Sequence, residues 1–361
     1  MLALLCPALA AADGGGGNWY GKGKGKGNRV GNASGRVLAP SKAPPRPRLR
    51  GAASPNAVRA KSAGQLMYGE PIRYHNLSLV PVGTTLPGPF QQYQLLEEGL
   101  KARTLAVREL NGKSGEAQVP AVEVRNKGRQ PVYLLGGEMI LGGKQDRIIS
   151  ADTVVSANGR WTKVKVFCVE QGRWRGQNMK FRGGGALAHV SLRKAAMSGS
   201  QGKVWEEVAR KNIKHGTQSS TSTYRRTIQN AALRRKISPY RKAIVAKLPP
   251  GLRLAGMVFA INGKIRVVDI MGNPLLYAKL QDKLVSSYVL EALGQQVVRN
   301  APAISKGAAQ QYIHKARKAK RMRFKGSGRS RNNKIDTDNM IGNETYDKKT
   351  GKRVRESYIV K

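Results

Sequence analysis

Residues 257–270, MVFAINGKIRVVDI, decide the fold. Apolar residues fill 257–261, Asn262-Gly263 interrupts them, and Ile265, Val267, Val268 and Ile270 resume the pattern. Asn-Gly is a favoured two-residue turn because both positions tolerate positive φ, so the stretch predicts a β-hairpin. Just beyond, Asn273-Pro274 opens a helix that runs to about residue 293, with Leu276, Leu280, Leu284 and Tyr288 on one face.

Towards the C-terminus the chain turns basic at 314–334 (HKARKAKRMRFKGSGRSRNNK) and ends in ESYIVK, which reads as a closing strand. Towards the N-terminus, 223–248 reads as a long basic helix that Pro239 breaks or kinks, and 204–214 as a short amphipathic one. Residues 173–202, with Gly183-Gly184-Gly185, read as flexible. Upstream of these, 104–110, 119–125, 132–135, 147–155 and 163–169 read as strands, with a helix at 91–102. Residues 75–84 read as an edge strand, since Pro81 has no N–H to give a ladder. Short strands separated by Asn/Gly turns suggest a sandwich or barrel. The expected architecture is α+β: a β-sandwich-like N-terminal half, then a helical and hairpin half, preceded by a disordered basic arm. The corresponding boundaries are 1–11 (signal peptide), 12–72 (arm), 73–175 (β-rich), 176–202 (linker) and 203–361 (basic α+β region).

Charge sets the functional expectation. Sixty-five Lys and Arg against 21 Asp and Glu give a net charge of +44. Such an excess repels itself in a compact chain unless a polymer of opposite sign neutralises it. Nucleic acid, DNA in preference to RNA, is the leading partner, with counterion release supplying the affinity; other polyanions share the chemistry. Aromatic residues are only 6%, which argues against a platform that stacks single-stranded bases. Lys22, Lys24 and Lys26 alternate with glycine in the arm, and Arg46, Arg48 and Arg50 lie among prolines, a composition that binds phosphate backbone. The central basic set is Arg225, Arg226, Arg234, Arg235, Lys236, Arg241 and Lys242. The C-terminal set is Lys315, Arg317, Lys318, Lys320, Arg321, Arg323 and Lys325. No acidic residue lies between Glu207 and Asp269, whereas a merely solvated helix face intersperses acids with bases. Cations on several segments suggest a protein that coats its polymer as a repeating assembly. Residues 2–10, LALLCPALA, have the apolar run and small-x-small end of a secretory signal, though no Lys or Arg precedes them. They place the protein outside the cytoplasm; the alternative is a cytoplasmic nucleoprotein. No stretch has the roughly 20 apolar residues of a membrane-spanning helix.

The segments 93–110, 119–155, 166–174, 204–208, 256–293 and 326–330 together resemble a bacterial family, the ARG and rhodanese-phosphatase-associated protein domain. The motifs carrying the resemblance are GE-x6-Q-x-R, from Gly137 to Arg147, and C-x-EQGRW, from Cys168 to Trp174. The family's name comes from gene neighbours, which suggests a place near nucleotide or ADP-ribose metabolism and no settled activity. Its members usually carry a histidine in the last strand; here Ser357, Tyr358 and Ile359 occupy that stretch.

The motifs bring forward Glu138, Gln145, Arg147, Glu170, Gln171, Arg173 and Trp174 as a possible ligand cluster. Guanidinium groups hold carboxylate or phosphate bidentately. The same residues equally make a self-satisfying ionic network. An enzyme or sensor for a nucleotide-derived small molecule is the alternative function, against a non-enzymatic polymer binder. His75, His189, His215 and His314 are scattered, Cys168 lies in an apolar strand, and neither a nucleophile–base pair nor a zinc spacing is evident, so no catalytic residue, metal or cofactor is expected.

Overall fold

The computed structural model describes residues 64–111, 117–173 and 179–361. The signal-like start, the arm up to residue 63 with its six named cations, and Trp174 lie outside the described residues. The elements of the first half are β1 (Leu66–Tyr68), β2 (Ile72–Tyr74), β3 (Leu77–Thr84), β4 (Gln94–Leu95), α1 (Leu96–Lys101), β5 (Leu105–Asn111), β6 (Ala117–Asn126), β7 (Val132–Leu134), β8 (Glu138–Gly143), β9 (Arg147–Ile149), β10 (Thr153–Val155), β11 (Trp161–Cys168) and β12 (Met179–Leu187). The second half adds α2 (Val190–Ser198), α3 (Gln201–His215), α4 (Arg225–Gln229), α5 (Ala231–Val245), β13 (Leu254–Ile261), β14 (Lys264–Met271), α6 (Pro274–Leu293), α7 (Lys306–Lys318), β15 (Arg321–Phe324), β16 (Ser330–Asp336), β17 (Met340–Asp347) and β18 (Arg353–Val360).

The hairpin forms as expected. Asn262 (φ 50°) and Gly263 (φ 75°) carry the turn, and β13 pairs antiparallel with β14. It sits at the centre of a nine-stranded sheet in the order β1-β3-β13-β14-β18-β17-β16-β15, with β2 also on β3. Helix α6 follows with Asn273 as its cap: Oδ1 accepts from the amides of Leu275 (2.9 Å) and Leu276 (3.4 Å), and Pro274 opens the first turn, where its missing N–H is no loss. A second sheet runs β12-β8-β9-β11-β6-β5, and a third, small one β10-β7-β4.

The second half mixes helices α2 to α7 with six strands rather than one hairpin and a closing strand. It contributes β13 to β18, which share one sheet with β1, β2 and β3. The stretch expected as a flexible linker contains strand β12 and helix α2, and β1 and the start of β2 fall inside the expected arm. Residues 147–155 split into β9 and β10, which belong to different sheets. The strand 77–84 is not an edge: β13 flanks one side, and β1 and β2 share the other. Pro81 fits because it faces the gap between β1 and β2, where its carbonyl accepts from Gly69 N–H (2.9 Å). The long basic helix breaks at Asn230, whose side chain caps α5 by accepting from Leu233 N (2.9 Å), and α5 runs on through Pro239. The carbonyl freed by that proline belongs to exposed Arg235, within reach of water.

Four apolar clusters hold these layers. One face of the nine-stranded sheet packs Met257, Phe259, Val267 and Ile359 against α5 and α6. The opposite face packs Val258, Val268, Ile335 and Tyr358 against Ala309, Ile313 and Ala316 of α7. One face of the six-stranded sheet carries α2, α3 and α4 over Met139, Ile148 and Phe167. Its other face joins the small sheet as a sandwich through Val122, Val124, Val132, Leu134, Val155 and Val166. Helix α6 belongs to two of these cores: Leu276, Leu280 and Tyr288 enter the first, and Leu290 the third.

Candidate functional site

The two motifs lie on β8, β9, the end of β11 and their loops. Their hub is a residue between the motif positions, Asp146, which is fully buried. Its Oδ1 accepts from Gly142 N (2.9 Å) and from Arg173 (3.3 Å), and its Oδ2 from Thr223 Oγ1 (3.3 Å) and Arg225 Nε (2.7 Å). Glu170 accepts from Asp146 N (3.1 Å) and Arg173 Nε (2.8 Å), while Arg173 also donates to Gly143 O (2.9 Å). Gln145 donates to the backbone carbonyl of Gln171 (3.2 Å). Arg147 is fully buried beside Glu109 (3.6 Å). Gln145, Glu170 and Arg173 thus come together as an internally paired network with Arg147 next to them, while exposed Gln171 joins only through its backbone carbonyl. Burial pushes the Cys168 thiol, opposite Arg147 across the ladder, up to about 11, so it stays protonated.

Glu138 is not in that network. It points to α6, where Lys283 bridges it to Glu97 (Lys283–Glu97 2.5 Å). Burial pushes the Glu138 carboxyl up to about 7 although Lys283 pulls it down. Lys283 lies on a cleft of about 430 Å³ between β12, α4–α5 and α6. Arg234, Ser238 and Arg241 line one wall, Asp282, Lys283 and Ser286 another, and Gly184, Gly185 and Ala186 a third. Leu187, Leu233, Ile237 and Leu290 supply apolar surface between them.

Two further buried clusters were not legible in the sequence. In the first, Arg355 donates to Asp152 (2.7 Å) and Asp269 (2.5 Å), and Arg193 donates to both oxygens of Asp269 (2.8 and 2.9 Å). Tyr288 Oη (2.8 Å) also reaches Asp269, Gly136 N (2.7 Å) reaches Asp152, and Arg193 donates to Ser357 (3.3 Å). Burial alone would raise the Asp269 carboxyl; the two guanidinium groups outweigh it and hold the group well below the carboxylate range. Gly137 of the GE motif serves this centre. Its φ is +94°, and a Cβ there would lie 2.6 Å from Arg193 Cγ. In the second cluster His189, fully buried, accepts from Tyr224 Oη at Nδ1 (2.7 Å) and donates from Nε2 to Glu207 (2.6 Å). Burial, with Lys211 nearby, lowers it to about 4, so the ring is neutral at pH 7, and these two bonds suit the neutral tautomer.

The named cations divide. Arg225 is bound to Asp146, Arg241 to Asp282 (3.5 Å), Arg317 to Glu356 (3.0 Å) and Arg321 to Glu344 (2.8 and 2.9 Å). Arg234 donates to Ile228 O (3.3 Å). Among the described residues, Arg226, Arg235, Lys236 and Lys242 are exposed without an ion pair on α4–α5, as are Lys315 and Lys318 on α7, Lys320 between α7 and β15, Arg323 on β15 and Lys325 just after it. Their freedom follows from where the acids go. Among the described residues every Asp and Glu except Glu206 and Asp338 is in an ion pair, many of them buried. Among those residues no helix is long and apolar enough to cross a membrane, and no group of His, Cys, Asp and Glu is arranged to hold a metal.

The model of one family, the ARG and Rhodanese-Phosphatase-superfamily-associated Protein domain, matches residues 65–358, and the chain belongs to that family. No curated protein and no solved structure matches it.

Proposed function

We propose that this member of the family binds nucleic acid through the phosphate backbone, without reading sequence and without a catalytic step. The observation that carries the reading is the division of charge: all but two of the described acids are paired with cations of the same chain, and other cations are left free on the outside. A surface of that kind gains affinity by releasing condensed counterions, chiefly from duplex DNA, whose charge density is high. The free cations of α5 and those of α7 sit on helices packed on opposite faces of the nine-stranded sheet, and those of β15 lie on its edge strand. One straight duplex on a flat patch would leave one set unused, so the protein encloses its polymer or bridges two segments, and copies line up along it as a coat. The start of the chain supports an extracellular polymer as the target.

The test is titration of labelled duplex DNA of unrelated sequences across a salt series. The expected result is similar affinity for all, with log K falling against log salt by about 0.9 per phosphate neutralised. Salt-independent binding, or a preference of several orders of magnitude for one sequence, would sink the reading. Electron microscopy with long DNA tests the coat: regular filaments only when DNA is present support it, and isolated particles count against it.

A further inference from the structure

The cleft between β12, α5 and α6 includes Arg234 and Arg241 of the central basic set, but the free cations behind the polymer reading lie outside it. Its glycine wall is irregular. In the pairing of β12 with β8, Gly183 faces Ile140 and Leu187 faces Glu138, so Gly184, Gly185 and Ala186 bulge opposite Met139 alone. The bulge turns out of the regular ladder at the cleft wall, and Gly185 (φ +64°) has open space where a Cβ would be. That backbone already receives an oxyanion: Gly185 N–H donates to Glu97 Oε1 (3.1 Å), while Lys283 holds Oε2 of the same carboxylate. A glycine amide and an ammonium thus converge on one oxyanion at this wall.

The opposite wall extends that character. Arg234, Ser238 and Arg241 lie along one side of α5 at helical spacing. Arg234 has no ion pair, and the pair of Arg241 with Asp282 is long (3.5 Å) and solvent-exposed, so an incoming dianion displaces it at little cost. Between the charged walls, Leu233, Ile237 and Leu290 offer a surface for a flat or apolar body. The volume, about 430 Å³, falls in the range of roughly 300–1,000 Å³ typical of small-molecule sites.

We propose that this cleft is a binding site for a small organic phosphate, a phosphate head on a flat body of about mononucleotide size, held by Arg234, Arg241, Lys283 and the glycine bulge. A phosphate dianion is favoured over a carboxylate because Lys283 and Arg241 already carry carboxylates, and only a more highly charged group competes with them. The body, not the head alone, gives the site its selectivity over free inorganic anions.

A basic protein attracts every anion, so the test needs a variant that closes the cleft without changing charge. Calorimetry on the full chain at physiological salt would compare adenosine monophosphate, phenyl phosphate, inorganic phosphate and benzoate. The expected result is one site per chain for the two organic phosphates, with inorganic phosphate and benzoate at least tenfold weaker. Ser286→Phe, which fills the cleft, and Arg241→Ala should each weaken the organic phosphates tenfold or more. Lys352→Ala, in the exposed turn between β17 and β18, should leave them unchanged. Should Ser286→Phe fail to fold, as judged by its melting curve, Ser238→Phe from the partly exposed α5 wall provides the same block. Binding that ignores the filled cleft, equal binding of inorganic phosphate, benzoate as tight as phenyl phosphate, or no binding would each overturn the proposal. Because DNA binding is measured separately, loss of either result leaves the other readable.

Discussion

The arginines of the buried centre and those of α5 are the same side chain in opposite circumstances. Arg193 and Arg355 are enclosed, and Asp152 and Asp269 meet them at hydrogen-bond distance. Arg226 and Arg235 stand in water with no acid to meet them. Buried charge survives only when paired, because desolvation costs several kcal/mol per ion. Exposed charge needs no partner and contributes little to stability either way. About half of the described acids lie where desolvation is severe, and the outer surface is left with an excess of cations. Internal stability and external polymer affinity are two results of one allocation.

Breaking the enclosed side of the comparison should have the largest effect. Asp269→Ala leaves both guanidinium groups buried with only Asp152 to answer them, and should cost about 3–5 kcal/mol in chemical denaturation. A loss below about 1 kcal/mol would mean that water reaches the centre. Next comes pH. As pH falls, unfolded His189 takes its proton near 6.5 while the folded ring waits until about 4, so folding loses stability across that window and the loss levels off below it. The contribution is up to about 3 kcal/mol. Glu138, held near 7, works in the opposite direction in an overlapping range, and His215, also lowered to about 4, works in the same direction as His189. The readout is therefore the difference between wild type and His189→Gln, whose stability should fall less between pH 6.5 and 4.

On the open side, replacing Arg235, Lys236 and Lys242 together by alanine should weaken duplex DNA about tenfold or more at moderate salt. It should also flatten the salt slope by about 0.9 for each phosphate that is no longer neutralised. The denaturation midpoint should scarcely move, since surface substitutions usually stay within about 0.5 kcal/mol each. A large stability change with unchanged affinity would invert the assignment. The smallest effect belongs to Lys306→Ala, which removes an exposed pair with Glu70 and should change stability by less than about 1 kcal/mol.

What could be read without coordinates was local. The 256–293 hairpin and helix were legible because an Asn-Gly turn and an Asn cap each act within a few residues. The ionic centre was not, since its bonds join residues 76, 86 and 203 positions apart. Strand β12 was hidden because MKFRGGGAL lacks the β-branched side chains that mark strands, and its register is held by β8 rather than by propensity. Strands β15 and β16 were hidden by their charge: arginine and asparagine stand where apolar residues would announce a sheet. Of the motif residues, the closeness of Gln145, Glu170 and Arg173 was implied by the family motifs, but their hub Asp146 was not, nor was the departure of Glu138 to Lys283. That departure depends on where α6 lands. The signal for His189 was equally remote, because its partners Glu207 and Tyr224 come from two later helical segments.

Strand β3 is made early and completed late. Its inner neighbour β13 lies some 180 residues further along the chain, with Leu77 opposite Ile261. At ribosomal speeds of about 5–20 residues per second, that separation amounts to roughly ten to forty seconds of synthesis. Throughout that interval LSLVPVGT, almost wholly apolar, has only two short strands beside it and an unfilled row of backbone donors and acceptors on the other edge. The nascent protein thus passes through a stage at which its own central strand is a sticky end, and its yield in the cell depends on what shields that strand until the Asn262-Gly263 hairpin arrives.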